Sequence, residues 1–213
     1  MTKSRLYLLL PGLVFIPAPG PVGGWAVTTV EDLPDYVTVG APAALTFTVR
    51  QHGREPLARL TPTVEAVSGK LRTKVSATPK AKAGQYAATL NLPQPGDWTI
   101  TIHSGFHESK TTLLPIKAVA AGSVAPPALA ETERGRRLYV AKGCVTCHSQ
   151  IPVGPALVGR QFPPDYLKKV LVDPQSLPAL QGKPREMPNL QLKQPEITAL
   201  VAYLNADKVL GAR

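Results

Sequence analysis

Cysteine is scarce in this chain: its 213 residues hold two, Cys144 and Cys147. A disulfide-pinned scaffold is excluded, because a bridge across two intervening residues closes almost no loop. A four-ligand zinc site is excluded as well. His148 adds a third ligand, but His52, His103 and His107 lie far upstream. Methionine is equally rare, at Met1 and Met187. No apolar run reaches the roughly 20 residues that a membrane-spanning helix needs. The longest, Leu6–Ile16, is interrupted by Pro11. Acidic residues are few, 14 against 24 Lys and Arg, for a formal net charge of +10. That surplus comes with no nucleic-acid-binding motif and no internal repeat.

What is present is concentrated at one point. Cys144-Val145-Thr146-Cys147-His148 is a C-x-x-C-H pentad, the pattern of covalent c-type haem attachment. It uses every cysteine available. Two thiols three residues apart share one side of a helical turn and reach the two vinyl groups of one haem, with His148 aimed at the iron. A thioredoxin-like redox pair would need a βαβ context, whereas the flanks here read as helix before and Pro/Gly loop after. Met187 lies in Pro184-Arg185-Glu186-Met187-Pro188-Asn189-Leu190, where a distal thioether ligand would be wanted. A His/Met pair on haem iron raises its reduction potential.

Residues 131–206 resemble the class I monohaem cytochromes c, and the likeness extends beyond the pentad. Gly135 and Tyr139 look like the family's small-plus-aromatic pair on the first helix, with Leu200 and Tyr203 as partners on the last. Gly154-Pro155-Ala156-Leu157-Val158-Gly159 resembles the loop after the haem motif. The resemblance implies that the Pro155 carbonyl accepts a hydrogen bond from His148, fixing its ring and tautomer. Met187 through Leu192, followed by Glu196 and Leu200, resembles the distal-ligand loop entering the final helix. Where the family usually has a capping Ser or Thr, this chain has Lys193-Gln194, so the helix start is assigned to Pro195. The implied cofactor is one covalent haem c, held by Cys144 and Cys147 with His148 and Met187 as axial ligands.

The helices also follow from pattern alone. Glu131–Lys142 begins acidic and ends with a lysine, as the helix dipole prefers. Pro163-Pro164-Asp165 opens a second helix over Tyr166–Val172, and Pro174 stops it. In the third, Ile197, Leu200, Val201 and Leu204 recur at helical spacing.

Upstream the texture changes. Residues 1–26 read as a secretory signal: Lys3 and Arg5, then the apolar stretch, then Gly24-Trp25-Ala26 as a cleavage site. An uncleaved anchor is the alternative. Residues 27–118 carry short alternating runs, such as Leu45, Phe47 and Val49, or Trp98, Ile100 and Ile102, that predict strands with one buried face. Seven or eight such strands in about 90 residues predict an all-β, immunoglobulin-like sandwich. The segment from Ala83 through Ile100 resembles the YtkA-like and FixH-like immunoglobulin-type domains, exported modules found near copper and respiratory-oxidase functions. His52, His103 and His107 are read as solvated or structural, because no Cys or Met accompanies them to build a soft copper site. Residues 119–130 form an Ala/Pro-rich linker, read as a semi-extended spacer, and 131–213 form an all-α cytochrome domain.

The resulting expectation is an exported, two-domain electron carrier, periplasmic or outward-facing, reaching the membrane through a partner. Residues 119–213 hold 12 Lys and Arg against 7 Asp and Glu. Lys142, Arg160, Lys168, Lys169, Lys183 and Arg185 are the candidates for a basic rim that steers the haem to an acidic face on a redox protein or membrane complex. With both axial positions filled, no substrate site and no catalytic residue is expected. Two rival readings are a haem enzyme or ligand sensor whose sixth ligand is displaced, and a mainly structural assembly subunit.

Overall fold

The computed structural model describes residues 24–151, 153–178 and 186–206. The expected signal segment, Lys183 and Arg185 lie wholly or almost wholly outside them. In chain order the strands are β1 (Ala26–Val30), β2 (Tyr36–Thr38), β3 (Pro42–Gln51), β4 (Glu55–Pro56), β5 (Thr63–Ser68), β6 (Leu71–Ser76), β7 (Thr78–Pro79), β8 (Gln85–Asn91), β9 (Gly96–His103), β10 (Lys110–Thr112) and β11 (Ile116–Val119). One sheet runs β1-β3-β8-β7, with β4 on β3; the other runs β2-β11-β9-β5-β6, with β10 on β9.

The two sheets pack face to face because their alternating apolar sides have nowhere else to go. Phe47 sits opposite Tyr86 in the β3–β8 register, and Val64 opposite Ile102 in β5–β9. Phe47, Tyr86, Trp98, Ile100 and Ile102 are all buried. The polar tips of the large aromatics are satisfied. Trp98 Nε1 donates to the Gln94 carbonyl at 3.1 Å, and Tyr86 Oη donates to the Leu57 carbonyl at 2.7 Å. The expected all-β sandwich is therefore present.

After β11 the chain runs without regular structure through the Ala/Pro-rich segment to α1 (Glu131–Ala141). A π-helical turn (Thr146–Gln150), α2 (Pro164–Val172), a 3-10 turn (Pro174–Ser176) and α3 (Gln194–Leu204) follow. Their core gathers Leu138, Tyr139, Leu167, Leu171, Ile197, Leu200 and Leu204. α1 and α3 cross at Gly135, where an added Cβ would stand 1.9 Å from the Ala199 carbonyl oxygen. Only a glycine lets the helices approach this closely. Tyr139 and Tyr203 meet beside that crossing with ring centroids 5.6 Å apart.

The two domains are not held apart. Every residue of β1 is buried. Ala26 and Val30 face the sandwich core, while Val27 and Thr29 meet the end of α1. Thr29 Oγ1 donates to the Lys142 carbonyl at 3.4 Å. A Cβ on Gly143 would lie 2.3 Å from Val27 Cγ1. Ala141, at the end of α1, joins the sandwich's own core cluster. The linker thus bridges two docked bodies, contrary to the reading of it as a spacer. Its compositional stiffness does not resist docking, because buried surface at β1 outweighs an extended preference.

Candidate functional site

The haem-attachment pentad begins where α1 ends. Lys142 caps the helix, its N–H reaching the Leu138 carbonyl at 2.8 Å. Gly143 then reverses the chain at φ 79°, the left-handed turn that favours glycine at this position. Cys144 follows directly. The turn that holds Cys147 and His148 closes through Ile151 N–H to the Thr146 carbonyl at 2.7 Å.

His148 Nδ1 lies 2.7 Å from the Pro155 carbonyl oxygen. A carbonyl can only accept, so Nδ1 carries the proton and Nε2 keeps its lone pair for a metal. Burial lowers the pKa of His148, and the hydrogen bond to Pro155 opposes that only in part. The ring is thus held neutral, as a ligand must be. Gly154 makes room for it: a Cβ there would stand 2.7 Å from both His148 Cε1 and Nδ1. The Gly154 N–H donates to the Cys147 carbonyl at 3.0 Å, tying the loop back to the motif.

The thiols do not resemble a redox pair. Burial pushes Cys144 up to about 12 and raises Cys147 as well. Thioredoxin-type chemistry needs the opposite shift, toward thiolate. No disulfide joins Cys144 to Cys147. Cys144, Val145, Leu157, Phe162, Met187 and Leu192 are partly buried against the helical core. Cys144 and Met187 thus pack on one apolar wall, and two thiols, an imidazole protonated on Nδ1 and a thioether are the groups that a covalent haem c requires.

Met187 is positioned by its backbone. Gln175 Nε2 donates to the Met187 carbonyl at 2.8 Å, and Gln175 N–H is itself held by Asp173 Oδ1 at 3.1 Å. Downstream, Glu196 Oε2 accepts from the Lys193 N–H at 2.9 Å. Glu196 thereby closes the N-terminus of α3 without the usual Ser or Thr.

The docking candidates separate. Arg160, Lys168 and Lys169 are exposed, with Lys168 near Asp165 at 3.7 Å. Lys142 is not on the rim. It is 4% exposed, and its Nζ lies 2.7 Å from Glu196 Oε1 and donates to the Glu31 carbonyl at 2.7 Å. A charge this buried belongs to a paired structural site, so Lys142 is corrected from docking residue to domain fastener. In the sandwich, His103 ends β9, while the His52 ring packs on Trp25 and that of His107 on Phe106.

Residues 130–204 match the family model described as cytochrome C oxidase, cbb3-type, subunit III, and residues 23–103 match the YtkA-like model. A comparison with curated proteins gave no match. Among solved structures, superoxide reductase (Neelaredoxin) from Ignicoccus hospitalis is 15% identical over 44% of this chain and 80% of its own, at a TM-score of 0.31. The ZirS C-terminal domain is 11% identical over 56% and 87%, at 0.35. A beta-glucosidase from Listeria innocua is 13% identical over 48% of this chain, at 0.31, and this chain spans 17% of the glucosidase. Likenesses this distant carry no functional argument. The pentad, the His148–Pro155 bond and the two matches agree on the layout of this chain: an N-terminal YtkA-like β domain followed by a C-terminal cytochrome c domain similar to the cbb3-type subunit III model.

Proposed function

We propose that this chain is an exported monohaem c-type cytochrome that passes single electrons and performs no catalysis of its own. Its setting is a docked position on a respiratory or photosynthetic membrane redox complex, or beside a periplasmic oxidoreductase. The observation that carries this reading is the His148 ring, oriented by the Pro155 carbonyl through Nδ1–H and kept neutral by burial, so that Nε2 presents a lone pair. A bound haem supplies a reversible one-electron Fe(II)/Fe(III) couple. Cys144 and Cys147 would hold it covalently, His148 and Met187 would supply the ligands to its iron, and the surrounding apolar side chains would keep water away. The name of the matching family, an oxidase subunit, supports a membrane electron-transfer complex as the partner. Arg160, Lys168 and Lys169 supply exposed positive charge for an acidic face on it. No helix among the described residues is long and apolar enough to cross a membrane; we propose membrane association through a partner, with an uncleaved N-terminal anchor as the alternative.

Carbon monoxide tests the filled sixth position. The reduced whole protein is expected to bind it slowly or not at all. Rapid binding would favour the enzyme or sensor reading.

A further inference from the structure

We propose that the β domain acts as a clamp on the distal-ligand segment 186–193, with Arg54 and Asp32 as positioning residues for Met187. The inference rests on the reading of Met187 as the sixth ligand. Two parts of the sandwich reach this one segment. The first is the tight turn between β3 and β4. His52 and Gly53 there both take positive φ, 50° and 76°, and Arg54 N–H closes the turn on the Gln51 carbonyl at 2.9 Å. Its tip presents Arg54 to Glu186, the neighbour of Met187, with Nη2 3.1 Å from the carboxylate. At the same tip, a Cβ on Gly53 would lie 3.7 Å from Pro188 Cγ, on the other side of Met187. The second is the loop after β1. Asp32 accepts from Lys193 Nζ at the end of the segment, and Glu31 holds Lys142, which holds Glu196.

The segment is therefore pinned at both ends by the other domain. Its own domain contributes the Gln175 contact to the Met187 carbonyl. For an external ligand to reach the ferric iron, Met187 must leave, and that requires the segment to open locally. Local opening is controlled by the interactions that opening breaks. Arg54–Glu186 and Asp32–Lys193 are among them. Both pairs are exposed, with side-chain accessibilities of 49% for Arg54 and 82% for Glu186, and 77% for Asp32 and 64% for Lys193. Each alone is weak and screened by salt.

The experiment is the rate of imidazole binding to the ferric whole protein at low salt, followed with the sulfur-to-iron charge-transfer band. Arg54→Glu should speed binding by about two- to five-fold, five-fold being the upper end of what an exposed ion pair is worth. Adding Asp32→Asn should bring the gain to roughly ten-fold or more, since the two pairs act on one opening. The swap Arg54→Glu with Glu186→Arg should restore the slow rate, which a general loss of stability would not do. High salt should bring the wild-type rate toward that of the Asp32→Asn, Arg54→Glu variant. Wild-type and variant rates that coincide at low salt, with the band intact, would overturn the clamp alone. A wild-type ferric protein without the band would overturn the Met187 reading, and the clamp with it.

Discussion

Gly154 is where one missing side chain decides the chemistry. The His148 ring occupies the space a Cβ would take, with Cε1 and Nδ1 each 2.7 Å from it. Gly154→Ala must push the ring off the Pro155 carbonyl or shift the loop. The expected loss is about 1–3 kcal/mol of stability in the haem-bound protein, the usual toll of overpacking, together with an altered haem absorption spectrum. Chemical denaturation and the visible spectrum check both, and an unchanged spectrum would mean the ring position does not depend on Gly154. The Pro155 carbonyl as partner of His148 was legible in the sequence, through the resemblance of the loop after the pentad, whereas the room that Gly154 leaves for the ring was not. Nor was the fate of Lys142. A lysine at a helix C-terminus ordinarily faces water. Its burial needs the Glu31 carbonyl from the other domain and Glu196 from another helix, and neither partner is visible in local pattern.

At the scale of elements, the α1–α3 crossing fixes the cytochrome domain. Gly135 puts the Ala199 carbonyl within 1.9 Å of where a Cβ would be, and backbone cannot give way as a side-chain tip can. Gly135→Ala should therefore cost about 3 kcal/mol, the upper range of overpacking, and lower the yield of haem-loaded protein. A thermal melt followed through the haem absorbance checks this, and a midpoint equal to wild type would show that the crossing relaxes. The strands and helices themselves were largely readable. Period-two alternation in β3, β8 and β9 and the apolar spacing in α3 reflect burial on one face, and burial is what those patterns encode. The π-helical turn at Thr146–Gln150 was not readable, because a single i+5 closure leaves no periodic trace. Glu196 as the cap of α3 shows the same limit. The sequence lacks Ser or Thr at the cap, and a carboxylate three residues on serves instead.

Over the whole molecule, the seam between the domains is the feature that pattern reading missed. Its signal was present in β1. Ala26-Val27-Thr28-Thr29-Val30 has no charged residue on either face, and both faces are covered. A strand at the edge of a sandwich would ordinarily present one polar side. Docking at β1 sets the β domain directly against the cytochrome domain, where the spacer reading had placed it at a distance. It also places Gly143 and the start of the pentad directly against the sandwich. Every part of this account depends on the pentad carrying a covalent haem. Acid–acetone treatment of the purified, haem-containing protein, followed by mass measurement of the polypeptide, tests that most directly. The account predicts that one haem stays on the chain and no free thiol is found at Cys144 or Cys147. Extraction of all the haem, leaving two free thiols, would contradict it.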